Sequence, residues 1–360
     1  MTLHCISSLH VDVLRLFSQP LFPRSQASPI ALTPNMDTSQ SKPLRWRKLA
    51  LWSTLSCVVA LAFVGSYLHK KPKRGSSDFN IDPHFDLPKP PTDLPYSRTN
   101  NIICMVAMTA TGLIAVLLGA RDARRTRTLL PLVLPLSGAM IAFPETFIDV
   151  LGCIYYPWTD KNASFHILGR EMPPWIPIWF GYGALMQTLL QLLHQKSTTR
   201  TLWWFLGFMM LSDLVVEEIL LPMGVYHYYG NQPLIVLNMF PWWWMAPNSV
   251  GVFLATALAY RLRNVLTGWR SLAVLFLTPM SVGGIYGFIA FPAWVAVNGD
   301  WGWFVTDVLG CLTLLFGVIA FCGVLELVLG RNPFYLEGDG EQAKVLPASP
   351  ESLDPFQDIP

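Results

Sequence analysis

The amino-acid sequence predicts an all-α, polytopic membrane protein: a transmembrane helix bundle with seven core spans plus one N-terminal span. Three observations predict it. Hydrophobic residues make up 52% of the 360 residues and charged residues only 13%, about half of the ~25% charged share usual in soluble domains. A soluble chain so poor in charge would struggle to cover its surface, whereas lipid removes that requirement. The apolar residues also gather in runs near the ~20 residues needed to cross a hydrocarbon layer. Lys and Arg collect between alternate runs, as orientation in a bilayer requires.

Along the chain, residues 1–48 carry Ser, Pro and Arg with only two acids, Asp12 and Asp37. They are expected to be a disordered or targeting segment, with Met36 a candidate initiator. The run 49–68 is expected to be an N-terminal transmembrane anchor, detachable from the rest. Basic residues flank it on both sides, Lys42, Arg45, Arg47 and Lys48 before it and Lys70, Lys71, Lys73 and Arg74 after it, so charge does not orient it. Residues 69–101 are rich in Pro and polar side chains and are expected to be a linker. The core, 102–330, holds runs at 102–120, 129–153, 174–194, 201–222, 243–262, 270–291 and 303–329. Prolines inside 129–153 and 174–194 are tolerated where neighbouring helices take up the freed backbone groups. The acidic, Pro-containing end, 331–360, is expected to be a disordered tail.

Orientation follows from the joints. Arg121, Arg124, Arg125 and Arg127 share one joint, Lys196 and Arg200 the next but one, and Arg261, Arg263 and Arg270 another. These basic joints are expected in the cytosol. The intervening joint 223–242 carries no charge, and 292–302 carries only Asp300. Joint 154–173 contains the sequon Asn162-Ala163-Ser164, a glycosylation site that makes sense only on the lumenal or outer side. Eight spans then place both termini in the cytosol, with the endoplasmic reticulum the expected membrane.

Several chemistries are disfavoured. The basic residues are too scattered for a nucleic-acid surface. Of the six cysteines, all but Cys5 lie inside apolar runs and none forms a CxxC or Cys/His ligand spacing, so neither a disulfide framework nor a zinc site is expected. There is no Asp-rich pair for magnesium diphosphate, no Walker loop, no GxGxxG after a strand and no Ser-His-Asp elbow. No metal and no cofactor are therefore expected.

The acids inside the runs stand out, because each ionisable group costs ~2.5–3.5 kcal/mol on insertion. Glu145 and Asp149 lie in the third run, Asp213, Glu217 and Glu218 in the fifth, Asp307 and Glu326 in the eighth. In the orientation above, all but Glu326 fall toward the outer side. Glu145 and Asp149 are four residues apart, as are Asp213 and Glu217, so each pair shares one helix face. Two such pairs facing each other in low dielectric cannot all ionise, so at least one proton is expected to stay. A carboxylic acid kept protonated in an apolar pocket is what acid catalysis on an alkene or epoxide needs. The plain alternative is that the acids lock helices together, and for Glu218 and Glu326 that is the expected role.

Aromatic residues crowd the same side. Nine of the fourteen tryptophans map there, among them Trp242, Trp243 and Trp244 between Pro241 and Pro247, together with Tyr155 and Tyr226. An interfacial belt accounts for most of them. A triple Trp between prolines also points rings inward, and ring faces stabilise desolvated cations by ~2 kcal/mol. Arg170, entering the fourth run, is expected either to anchor at the interface or to steer a polar group. The pentapeptide Asp-Val-Leu-Gly-Cys occurs at 149–153 and again at 307–311, which hints at an inverted repeat.

The stretches Pro144-Glu145…Asp149…Tyr155-Tyr156-Pro157 and Asp213…Glu217 resemble those of small seven-helix integral membrane terpene cyclases of fungal meroterpenoid pathways. The resemblance extends from residue 102 onward and leaves the first hundred residues uncovered. It implies a proton-initiated isoprenoid cyclase with Glu145 and Asp213 as leading acids. The expected function is therefore a terpene cyclase or isomerase acting on a lipophilic substrate within membrane lipid, with no nucleic-acid partner. Glu145 and Asp213 are the acid candidates, while Asp149 and Glu217 would tune the acid or take the terminal proton. Trp242, Trp243, Trp244, Tyr155, Tyr226, Asp307 and Arg170 would bind substrate. A proton-coupled transporter or channel using the same acids is the alternative, and a scaffold without chemistry would need no buried acids at all.

Overall fold

The structure, a computed structural model, describes residues 43–68, 79–158, 165–176, 181–236 and 240–334. The sequon at Asn162, the segment before residue 43 and the tail after residue 334 lie outside the described residues. The described chain is mostly helical. Helix α1 spans Pro43–Leu68 and α2 spans Arg98–Thr126, with the Ser97 hydroxyl accepting the Asn100 N–H as its N-cap. A compound helix follows, α3 Leu130–Ser137, a 3₁₀ turn Gly138–Ile141, and α4 Ala142–Gly152. Then come α5 Gly181–His194, α6 Thr199–Leu220 and α7 Met245–Arg261. Helix α8, Val274–Ile289, continues a 3₁₀ segment Gly268–Ala273. The short α9 is Phe291–Val297, and α10, Trp303–Gly323, ends in a π turn Val324–Val328.

Four of these helices are long and apolar enough to cross a membrane: Arg98–Thr126, Leu130–Gly152, Gly268–Ile289 and Trp303–Val328. Their outward faces carry large apolar side chains, such as Ile102, Val106, Leu113 and Leu117 on α2 and Phe304, Ile319 and Leu327 on the last helix. A continuous exposed apolar surface of this kind suits lipid. Inside, α7 packs against α5, α6, α8 and α10, and α2 packs against α3 and α5.

Three features differ from the sequence expectation. The stretch 69–101, expected as a linker, contains in its described part a small hairpin of β1 Ile81–Asp82 and β2 Leu87–Pro88, and α2 begins at Arg98 rather than 102. Helix α1 is not detached: it packs along α10, and its buried Ser66 hydroxyl donates to the buried Asp307 at 3.0 Å. Short strands also appear, one pair as a local hairpin within a joint and one between two joints distant in sequence. β3 Ile154–Tyr155 pairs with β6 His227–Tyr228, and β4 Phe165–Ile167 with β5 Arg170–Met172.

One buried acid was not anticipated. Asp122 lies past the expected span end at 120, but α2 runs on to Thr126 and buries it. Its Oδ2 accepts from Gln187 at 2.9 Å and Gln191 at 2.7 Å, and Arg121 faces its Oδ1 at 3.3 Å. This ties α2 to α5. Replacing Asp122 with Leu strands the Gln187 and Gln191 amides, so the expected result is a loss of ~1–3 kcal/mol of stability. Thermal unfolding of the purified variant in detergent checks it, and an unchanged midpoint counts against the tie.

Candidate functional site

The two acid pairs meet. Helices α4 and α6 are not neighbours in sequence, yet each turns its pair inward at the same end of the bundle. Glu145 stands within electrostatic reach of Asp213, Asp149 of both Glu145 and Glu217, and Glu217 of Asp213. The four-residue spacing puts each pair one helical turn apart on a single face, and that face is the one each helix buries.

Their surroundings differ. Glu217 accepts two phenol hydroxyls on one oxygen, Tyr226 at 2.6 Å and Tyr228 at 3.1 Å. Burial pushes both phenols well above their ordinary value, so they stay protonated and act as donors. Asp213 accepts the Asn248 amide at 3.0 Å, and Asn248 in turn accepts the Tyr286 hydroxyl. Asp149 is fully buried, and neither of its oxygens meets a donor in good geometry, although the Tyr156 hydroxyl lies beside it. Glu145 makes no hydrogen bond among the described residues, and it lines a cavity.

That cavity is walled by Glu145, Glu217, Asn248 and a ring of aromatics: Tyr156, Trp175, Tyr182, Tyr226, Tyr228 and Trp244. About 30 Å³ of it is free for the centres of water molecules, room for about two waters. The β3–β6 ribbon explains the tyrosines. Successive strand residues face opposite ways, and the register sets Ile154 opposite Tyr228 and Tyr155 opposite His227. Ile154, Tyr156, Tyr226 and Tyr228 therefore share the cavity face, while Tyr155 and His227 turn away.

No family model, curated protein or solved structure matches this chain.

Of the residues expected to bind substrate, Tyr226 and Trp244 line the cavity, and Tyr155, Trp242, Trp243, Arg170 and Asp307 do not. Trp243 stacks behind Trp244, with centroids 4.3 Å apart and 29° between planes, and donates its indole N–H to Gln232 at 3.2 Å. Arg170 bonds the Tyr229 hydroxyl and stacks over that ring. Asp307, expected at the depth of the other acids, faces α1 and the loop after β6. Sequence reasoning set Tyr156, Tyr228 and Trp175 among the aromatics on the side of the acids but assigned neither them nor Tyr182 and Asn248 to the site. Alternating aromatics in Tyr226-His227-Tyr228 were the one available signal, since alternation of this kind marks a strand. Among the described residues, no group of three or more His, Cys, Asp or Glu is arranged to hold a metal ion.

Proposed function

We propose that this protein is a membrane-embedded cyclase or isomerase that starts its reaction by giving a carboxyl proton to a lipophilic isoprenoid. The observation that carries the reading is Glu145: a carboxyl group on an aromatic-walled cavity, without a hydrogen bond among the described residues, next to three more carboxyls. Protonation of a terminal alkene or epoxide leaves a carbocation, which the faces of Trp244, Tyr182 and Trp175 can stabilise. Ring closure consumes a second double bond, and loss of a proton to Glu217 or Asp149 ends the sequence. Substrate and product then have the same mass. The tyrosine pair on Glu217 supports its role as acceptor. Because the cavity holds only about two waters, an isoprenoid must part the ring wall on entry.

The eight-span topology belongs to the same proposal, with both termini cytosolic and the cavity toward the lumen of the endoplasmic reticulum. Its support is the alternation of basic joints with joints that carry no net positive charge. Treatment of the protein from microsomes with an endoglycosidase is expected to increase its gel mobility, and Asn162→Gln is expected to abolish that change. A chain that never carries a glycan counts against the orientation.

Proton-coupled transport needs a polar path on both sides of the acids. Toward the other end of the bundle, Gln187 and Gln191 are already engaged by Asp122, which favours the closed chamber of an enzyme. The direct test incubates microsomes with prenyl-bearing substrates in deuterated water. A product isomeric with its substrate is expected, carrying one solvent deuterium on carbon where an alkene takes the proton and only an exchangeable one on oxygen where an epoxide does. Absence of such a product, across alkene and epoxide substrates, removes the reading.

A further inference from the structure

The loop that carries the tryptophan wall is fastened at a point off the cavity lining. Asp307, fully buried on α10, accepts two hydrogen bonds on Oδ1: the Ser66 hydroxyl of α1 and the Leu234 backbone N–H, each at 3.0 Å. Leu234 holds a left-handed backbone, φ 54°, a conformation that costs a non-glycine residue ~1–2 kcal/mol and persists only where neighbours impose it. Its neighbours do impose it. A Cβ on Gly310 would stand 2.8 Å from Pro233 Cβ and 2.9 Å from Leu234 Cγ, and one on Gly65 would stand 2.8 Å from Val236 Cγ1. Two glycines, one on α10 and one on α1, are the notches in which this loop sits.

From there the connection to the chamber is short. The Leu234 carbonyl accepts the Trp242 N–H at 3.0 Å, Ile235 bridges to Pro241, and the Trp244 N–H returns to the Pro241 carbonyl at 3.1 Å. Trp242–Trp244 form one 3₁₀ turn, so fixing Leu234 fixes the turn and with it the Trp244 ring. We infer that Asp307 is a positioning residue which, joined to Ser66 of α1, sets where the Trp244 wall stands in the carboxyl chamber. The first helix is then part of the frame of the site and not a detachable anchor. The inference concerns the wall and holds whatever reaction the chamber performs, so it does not depend on the cyclase reading.

The test uses the full-length chain with its native cysteines replaced, and one probe cysteine introduced at Ile154, on the cavity lining. A second probe, at Met186, is fully buried on α5 away from the cavity. The rate of modification by a small membrane-permeant thiol reagent is measured in membranes. Asp307→Leu is expected to speed modification at Ile154→Cys by roughly fivefold, the factor for about one net buried hydrogen bond, while leaving Met186→Cys unchanged. Asp307→Asn keeps an acceptor oxygen for Leu234 and Ser66 and is expected to restore most of the slow rate. Ser66→Ala is expected to act in the same direction as Asp307→Leu with smaller effect. If Asp307→Leu leaves the Ile154 probe unchanged, or speeds both probes alike, the residue does not position the wall. Equal rates for Asp307→Asn and Asp307→Leu overturn the inference too.

Discussion

Glu145→Gln is expected to lower turnover in microsomes by ~10²–10⁴-fold, the range that a positioned general acid supplies, without lowering the amount of folded protein. Glutamine fills the same volume and keeps the cavity wall, but it has no proton to give. The choice of Glu145 over its three neighbours rests on what each carboxyl already does. Glu217 is occupied as acceptor by Tyr226 and Tyr228, Asp213 by Asn248, and Asp149 is off the lining. Glu145 alone joins a place on the lining with freedom from hydrogen bonds among the described residues. Asp213→Asn is expected to lose less, because the side chain at 213 holds Asn248 rather than facing the cavity. Full turnover in Glu145→Gln would sink the mechanism outright, and loss in Asp213→Asn alone would move the acid to the other helix.

Much of this arrangement was legible in the residues. An apolar run of about twenty residues can satisfy its backbone in lipid only as a helix, and each run holds a helix among the described residues, although that of 174–194 covers only Gly181–His194 and four helices in all are long and apolar enough to cross a membrane. The convergence of Glu145 with Asp213 was legible too, because a four-residue spacing fixes which side chains share a face. Face and depth are separate coordinates, however. The place of Asp307 in its run leads to the expectation of a depth shared with the other acids, but nothing in its local sequence says that its face meets α1 and Leu234. Asp122 stands among arginines just past the expected span end at 120, where only the helix running on to Thr126 shows that it is carried inside. The β3–β6 ribbon has two residues per strand, too few for any period to show, and its pairing depends on joints more than seventy residues apart. Tyr182 and Asn248 are isolated in the sequence from the other residues of the site, and such residues acquire meaning only from what the fold places opposite them.

The second large effect is steric and falls on Gly152, the last residue of α4. A Cβ there would lie 2.3 Å from Trp244 Cζ2 and 2.5 Å from Cη2, so Gly152→Ala requires the indole to move. Its ring neighbours leave the indole only the cavity side to move into. Trp243 stacks on it, the Tyr228 ring stands 5.6 Å and the Tyr286 ring 5.7 Å away. Trp243 is itself held by Gln232, whose amide donates to the Gly152 carbonyl at 2.7 Å and the Tyr229 carbonyl at 2.9 Å. The restraint therefore closes on the residue being changed. Overpacking of this kind costs ~1–3 kcal/mol, against at most ~1 kcal/mol recovered from helix propensity. Gly152→Ala is expected to lower the thermal midpoint and to change the ratio of products, because the shifted ring also faces the cavity. Gly207→Ala, whose Cβ would meet nothing within 4 Å, is the matched control and is expected to be neutral or slightly stabilising. Trp244→Phe introduced with Gly152→Ala removes the colliding atoms, so the pair is expected to be more stable than additivity of the two single changes allows. Strict additivity would mean that glycine is at position 152 for a reason other than the ring that rests on it.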